Sequence, residues 1–312
     1  MRILFAGSSE IAIPTLTAVT ARYEVCAVLT NEPKPGKRGR TPIPTPVETA
    51  ACELGLPVLR FDRLGKDARE AVAAHGCDTL LCFAYGRIFG PKFLSLFSGE
   101  VLNIHPSLLP EFRGPAPIQG AILHQKTESG ISLQKLDLKM DEGDLLLVRR
   151  FPLTGDETAR SLTEYVAGEA ALLAVEGLDL IRRGEAVFTP QVGKPTYTPL
   201  LTLEHAPLDF TRDARSLHAR IRALNPWPKA RCTYEGQSLI ISGVWGRVDE
   251  LGSEVVEPGR VLGFDKEKGI GIGTGLGILW VTTLQLEKRK EMDWRSFING
   301  NQRFIGSRLE QA

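Results

Sequence analysis

The sequence predicts an α/β protein: a doubly wound, mostly parallel, Rossmann-like sheet, followed by a second, smaller domain built as an OB-like β-barrel. Three observations predict this. In the earlier part of the chain short apolar runs alternate with helix-compatible stretches, the strand, helix, strand rhythm of a parallel sheet covered on both faces. Toward the end short apolar runs alternate with glycine turns, as in small antiparallel barrels. The length, 312 residues with 43% apolar, suits about two domains with a core in each. The 38 Lys and Arg nearly balance 37 Asp and Glu. The chain as a whole is therefore neither a polyanion nor a histone-like polycation, and any nucleic-acid contact must come from a local patch.

Arg2 to Ala6 reads as a buried strand running into Gly7-Ser8-Ser9 and then into a helix with Ile11, Thr15, Ala18 and Val19 near one face. A second strand follows at Val25 to Thr30. Thr79 to Phe83 and Glu100 to Ile104 are further strands, each preceded by a helix-compatible stretch such as Asp67 to Ala74. The helical stretch Ser161 to Ile181 closes a first domain expected over residues 1–187. Residues 188–207, rich in Pro, Thr and Gly without a sustained period, read as a linker. The second domain, 208–312, is expected to open with a helix from Asp209 to Leu224. Its strands are expected within Tyr234 to Val248, Gly259 to Leu262 and Gly269 to Leu286.

Several classes are excluded by what these elements carry. Gly7-Ser8-Ser9-Glu10 is not G-x-G-x-x-G, so the dinucleotide fingerprint fails where it would have to be. The five histidines are isolated at positions 75, 105, 124, 205 and 218, and five scattered cysteines form no C-x-x-C pair. No metal is expected, nor a disulfide framework, and a reducing cytoplasm fits best. The opening Met1 to Ser8 is too short an apolar run for a signal peptide. Gly269 to Val281 holds five glycines, so no membrane span is expected.

Ligands of doubly wound sheets bind outside the carboxyl ends of the strands. Asn103-Ile104-His105-Pro106-Ser107-Leu108-Leu109-Pro110 falls at such an end. Side chains two apart share one side of a strand, so Asn103 and His105 are able to point at one atom, the arrangement an oxyanion site requires. On spacing alone they serve equally as a turn cap and a structural histidine. The prolines of this stretch, with Pro115 and Pro117 after Arg113-Gly114, stiffen the loop. A carboxylate to orient the imidazole is available from Asp137 to Asp144, a stretch that otherwise reads as a solvated turn.

The residues Asn103-x-His105-Pro106-Ser107-Leu108-Leu109-Pro110, then Phe112-Arg113-Gly114-x-x-Pro117, with Asp141-x-Gly143 placing Asp141 36 positions after His105, resemble the 10-formyltetrahydrofolate-dependent formyltransferases. The resemblance implies that Asn103, His105 and Asp141 form the catalytic constellation. It implies that Ser107, Leu108, Leu109 and Pro110 contact the folate, and that Arg87 and Ile88, beside Phe89, hold the pterin through backbone groups. 10-Formyltetrahydrofolate is then a co-substrate and no metal is needed. The loop after the second strand and the barrel opened by Asn225-Pro226-Trp227-Pro228 imply the branch that formylates the α-amino group of methionyl initiator tRNA for translation initiation. Amino-sugar N-formyltransferases and 10-formyltetrahydrofolate hydrolases share both domains and are the alternatives. The shorter, single-domain glycinamide ribonucleotide enzymes lack the barrel. A monomer is expected.

Charge placement supports an RNA partner. From Pro33 to Pro46 the chain carries Lys34, Lys37, Arg38 and Arg40, no acid, five prolines and two glycines, a stiff cationic loop suited to phosphates. On a helical wheel Ala214, Leu217, Ile221 and Leu224 make one apolar face, with Arg212, Arg215 and Arg222 roughly opposite. Lys37, Arg38, Arg40, Arg215 and Arg222 are the expected RNA contacts. A solvated basic loop and an ordinary cationic helix face are the alternatives.

Overall fold

The computed structural model describes residues 1–36, 42–247 and 251–312. In chain order the first elements are β1 (Arg2–Ala6), α1 (Ile13–Thr20), β2 (Glu24–Thr30), α2 (Pro46–Glu53), β3 (Val58–Arg60), α3 (Lys66–Ala74), β4 (Thr79–Phe83), α4 (Pro91–Leu94), β5 (Val101–His105), α5 (Pro117–Leu123), β6 (Glu128–Lys135), β7 (Leu145–Pro152) and α6 (Ala159–Arg183). The strands form one sheet in the order β3-β2-β1-β4-β5-β6-β7. Pairing is parallel from β3 through β5, and β6 runs antiparallel to β5. β1 and β4 are apolar on both faces and almost wholly buried, as strands covered on two sides must be. α2 begins where Thr45 accepts a hydrogen bond from the Glu48 amide at 3.0 Å, with a proline in its first turn.

The strand order places the functional end of the sheet. From β1 the chain progresses outward to β2 and β3, then returns to β4 and progresses the other way, so β1 and β4 flank a switch point. At their carboxyl ends the Ser8 amide donates to the Ala84 carbonyl at 3.2 Å, and Asn31, after β2, donates to the Tyr85 carbonyl at 2.9 Å. β5 ends at His105 on this same edge.

The chain divides into two compact units. One comprises Met1–Pro117, Gly130–Phe151 and Thr163–Thr198; the other comprises Ile118–Ser129, Pro152–Leu162 and Pro199–Ala312. Thr189, inside the stretch of aperiodic sequence, pairs with Leu145 in the first unit.

The second unit contains α7 (Ala214–Ala223), β8 (Ala230–Tyr234), β9 (Gln237–Val244), β10 (Val261–Asp265), β11 (Gly269–Gly273), β12 (Ile278–Leu286), β13 (Met292–Asp293), α8 (Trp294–Gly300) and β14 (Glu310–Gln311). Its antiparallel sheet runs β10-β11-β12-β9-β8-β14, with β13 against β12. The two ends meet: Arg260 and Arg308 form a bridge, and the Val261 amide donates to Ser307 O at 2.9 Å. The sheet is therefore a closed barrel, which leaves few unpaired edges. Ile270 and Ile272 point inward while the alternate positions are glycine. At Gly271 a side chain would meet the indole of Trp280, 2.9 Å from the nearest ring atom.

The helix expected from Asp209 starts instead at Ala214, because Asp213 caps it by accepting from the Ser216 amide at 2.8 Å. A second correction concerns Arg222. The wheel puts it on the outer face, but it is buried. Its Nε donates to His218 Nδ1 at 3.1 Å and its Nη1 to the Glu157 carbonyl at 2.6 Å. Those acceptors draw the guanidinium inward, so it is not a cation offered to solvent. Arg215 is exposed, as expected.

This arrangement gives a pH prediction. His218 Nε2 lies 3.0 Å from the Gly246 carbonyl, which only accepts, so that nitrogen carries the hydrogen and Nδ1 accepts from Arg222. Both positions of the neutral ring are used. Burial, then the charge of Arg222, pulls the His218 pKa down from 6.5 to about 4. The folded state therefore resists a proton that the unfolded chain accepts. Stability should be intact above pH 6.5 and fall as pH drops from 6.5 to 4, by about 3 kcal/mol in all, then level off. Urea unfolding of His218→Gln should lack most of this slope; a parallel slope in variant and parent would show that His218 does not cause it.

Candidate active site

Asn103 and His105 stand on one side of β5 because the strand alternates, with Leu102 and Ile104 buried on the other. β6 presents a matching row, in which Asn103 pairs with Gln134 and His105 with Ser132. Asp141 arrives from the loop between β6 and β7 with φ at +57°, a left-handed backbone that Asp tolerates better than most residues. The loop lies so close to β6 that a Cβ on Gly143 would fall 2.0 Å from the Lys135 carbonyl oxygen. Only glycine fits there.

The three residues expected from the sequence meet at the Asp141 carboxylate. Its Oδ1 lies 3.5 Å from His105 Nδ1, 3.5 Å from Asn103 Nδ2 and 3.1 Å from Gln134 Nε2. Its Oδ2 accepts from the Gly114 amide at 2.9 Å. His105 Nε2 is 2.9 Å from the Phe112 carbonyl oxygen. A carbonyl has no hydrogen to give, so Nε2 carries the proton. The other ring nitrogen, Nδ1, then faces the carboxylate, able to accept a proton from a substrate or to hold one toward Asp141. The two 3.5 Å contacts are at the outer limit of hydrogen bonding, as is common before substrate draws a site together.

The stretch expected to meet the folate is held from below. Ser107 Oγ donates to the Glu111 carbonyl at 2.6 Å, and Ser132 Oγ donates to the Ser107 carbonyl at 2.8 Å while accepting from the Leu109 amide at 3.3 Å. Leu108 packs where Gly130 has no side chain, and Pro110 accepts from the Thr196 amide at 3.2 Å. Arg87 and Ile88 lie in the loop after β4. The Arg87 guanidinium is engaged with Asn31 Oδ1 at 2.8 Å and Asp62 at 2.8 Å, whereas Ile88 is 76% exposed. Lys37, Arg38 and Arg40 lie outside the described residues.

Sequence reasoning missed three groups here. Gln134 and Ser132 had a signal: they alternate with the buried Ile131 and Leu133 along β6. Gln191 had none. Its Nε2 donates to the carbonyls of Asp141 at 2.8 Å and Gly143 at 2.9 Å, and approaches Gln134 Oε1 at 3.3 Å. Its Oε1 accepts from Arg113 Nη2 at 2.8 Å and Nε at 3.3 Å. Arg113 also reaches Glu142 at 3.0 Å and the Tyr197 hydroxyl at 3.2 Å.

Chemically the cluster offers an amide donor, an imidazole and a carboxylate around one point, the groups that assist attack of an external nucleophile on a carbonyl. The thiol on the neighbouring strand is not a nucleophile: burial pushes Cys82 up to about 12. Among the described residues no group of three or more His, Cys, Asp or Glu side chains is placed to hold a metal ion, and no helix is long and apolar enough to cross a membrane.

A site of this kind on this fold defines a class, and the comparisons agree with it. The family model described as formyl transferase matches residues 1–176, and that described as formyl transferase, C-terminal domain, matches residues 200–302; the chain belongs to the formyl transferase family. Within it, the chain is similar to the methionyl-tRNA formyltransferase of Borrelia hermsii, 36% identical over 307 residues that cover 98% of this chain and 99% of that one. It is 34% identical to the methionyl-tRNA formyltransferase of Treponema denticola over 322 residues, 99% of this chain and 100% of that one. Among solved structures, HypX from Aquifex aeolicus in complex with tetrahydrofolic acid shares the fold, with a TM-score of 0.66 at 20% identity. That match covers 98% of this chain and 48% of the other, so this chain spans about half the length of HypX.

Proposed function

We propose that this protein transfers the formyl group of 10-formyltetrahydrofolate to the α-amino group of methionyl initiator tRNA, the modification that prepares the charged tRNA for translation initiation. The observation that carries the reading is the convergence of Asn103 and His105 on Asp141 at the carboxyl edge of the sheet. It is supported by likeness over nearly the full length to methionyl-tRNA formyltransferases and by the tetrahydrofolic acid of the HypX complex.

The amine is the nucleophile. An α-amino group has a pKa of roughly 8, so a useful fraction is neutral at physiological pH and the protein's task is to hold it against the formyl carbon. Attack forms the new C–N bond and places negative charge on the formyl oxygen. The Asn103 amide has a second hydrogen beyond the one facing Asp141, and it stabilises that oxygen. His105 Nδ1 takes the proton from the attacking nitrogen, with Asp141 stabilising the resulting imidazolium. Return of a proton to N10 as the C–N10 bond breaks releases tetrahydrofolate. Ser107, Leu108, Leu109 and Pro110, with the backbone of Arg87 and Ile88, hold the folate.

In this reading residues 1–187 carry the reacting groups, 188–207 connect the domains while their first part, through Thr198, packs with the catalytic unit, and 208–312 bind RNA. The tRNA is met by Lys37, Arg38 and Arg40 and, on the barrel unit, by Arg215. The protein acts as a cytoplasmic monomer. Replacing Arg38 and Arg40 together by alanine should weaken tRNA binding and reduce the slope of log K against log salt by about two; an unchanged slope would remove this loop from the interface. The reading as a whole is tested by incubation with 10-formyltetrahydrofolate and, separately, methionyl initiator tRNA, an amino-sugar nucleotide, or water alone, following release of tetrahydrofolate. Release only with the charged tRNA is expected. Equal release with the sugar acceptor or with water would replace the reading by the corresponding member of the family.

A further inference from the structure

We infer that Gln191 is a positioning residue for the formyl transfer: its side-chain amide sets the place of Asp141, and through it the imidazole of His105. This inference rests on the catalytic role proposed for Asp141.

Asp141 itself has a left-handed backbone, and it belongs to a loop whose contact with β6 leaves room for glycine only at position 143. Such a loop keeps one geometry only if its peptide groups are tied down. Gln191 does this with both ends of its amide. Its two hydrogens face the carbonyls of Asp141 and Gly143 at 2.8 and 2.9 Å. Its oxygen receives the Arg113 guanidinium, which fixes which way round the amide lies. It also touches Gln134, whose own amide donates to the Asp141 carboxylate. Backbone and side chain of the same aspartate are thus held from one point.

The segment that carries Gln191 is itself stitched on both sides. At its start Leu145 and Thr189 exchange two backbone hydrogen bonds of 2.8 and 2.9 Å. At its end the Arg113 amide donates to Thr196 O at 2.9 Å, the Thr198 amide donates to Arg113 O at 2.8 Å, and the Phe112 amide donates to Thr196 Oγ1 at 2.8 Å. Phe112 supplies the carbonyl that fixes His105 Nε2, and Gly114 supplies an amide to Asp141. Residues 189–198 therefore join the loop bearing the carboxylate to the loop that orients the imidazole, with Gln191 at the junction. Its touching of no reacting atom makes it a positioning residue.

The test is a double-mutant cycle on the purified full-length protein. Gln191→Leu keeps the bulk and removes the hydrogen bonds; it should lower kcat by about tenfold to a hundredfold while KM for each substrate changes less than about twofold. In an Asp141→Asn background the same substitution should cost almost nothing further, since its effect runs through the carboxylate. Gln191→Glu, which sets a carboxylate oxygen against two carbonyls, should be as slow as Gln191→Leu. Thermal unfolding confirms that each variant is folded, and should Gln191→Leu fail to fold, the same cycle is run with Gln191→Asn. Parent-like kcat in a folded Gln191 variant, or an equal loss in both backgrounds, overturns the inference. Full activity of Asp141→Asn alone would instead overturn the catalytic reading on which it rests.

Discussion

His105→Ala and Asn103→Ala should each lower the single-turnover rate of formyl transfer by at least about a hundredfold, about 3 kcal/mol of transition-state stabilisation, with the fold retained. The basis is geometric. His105 is held by the Phe112 carbonyl so that its other nitrogen faces Asp141, and Asn103 lies two residues back on the same side of β5 with its amide toward the same carboxylate oxygen. Removal of either leaves the apolar packing of Leu102 and Ile104 on the opposite face of the strand untouched. The losses should not add: a group that stabilises the oxygen and one that moves the proton serve one transition state, so the double variant should be little slower than the worse single one. Quenched-flow measurement at saturating substrate reads this directly. A parent-like rate in either variant removes that residue from the mechanism.

Gly143→Ala should produce the second large effect, by displacing the Asp141 loop without touching a reacting group. The added carbon would lie 2.0 Å from the Lys135 carbonyl, closer than any contact allows, and the obstacle is strand backbone, which does not rotate away. The loop must move by about 1 Å or more, and displacement on that scale costs about a hundredfold in rate. Stability should fall as well, by about 2 kcal/mol, since two hydrogen bonds to Gln191 and the packing on β6 are disturbed. Gly114→Ala is the companion test on the opposite loop, where φ is +103° and the new carbon would approach the Thr198 carbonyl to 2.5 Å. Its amide holds Asp141 from the other side. Denaturant titration together with kcat separates the two losses; normal kcat in a folded Gly143→Ala protein would mean that the position of Asp141 is not critical.

What the sequence makes legible follows from how local the physics is. Asn103 and His105 stand out because they are polar residues at the end of an apolar strand, where a parallel sheet gathers its ligands. The barrel is legible from short apolar runs separated by glycine turns, since strands and tight turns both leave their mark within a few residues. Asp141 is different: in isolation its loop reads as a solvated turn, and only the spacing shared with a family singles it out. Arg222 goes astray because a helical wheel knows the helix and not the Glu157 carbonyl 65 positions away that draws the side chain inward. Gln191 leaves no trace at all. Its partners are backbone carbonyls 48 and 50 positions distant, its segment has no periodicity, and a carboxamide among prolines and glycines looks like any linker residue.

The most direct measurement is a crystal structure of the protein bound to an analogue of 10-formyltetrahydrofolate that keeps the formyl group at position 10 but resists transfer. The formyl oxygen should lie about 3 Å from Asn103 Nδ2, with His105 Nδ1 and Asp141 on the side from which an amine approaches. A pterin bound elsewhere, or a formyl group turned away from Asn103 and His105, would contradict the mechanism however well the fold matches.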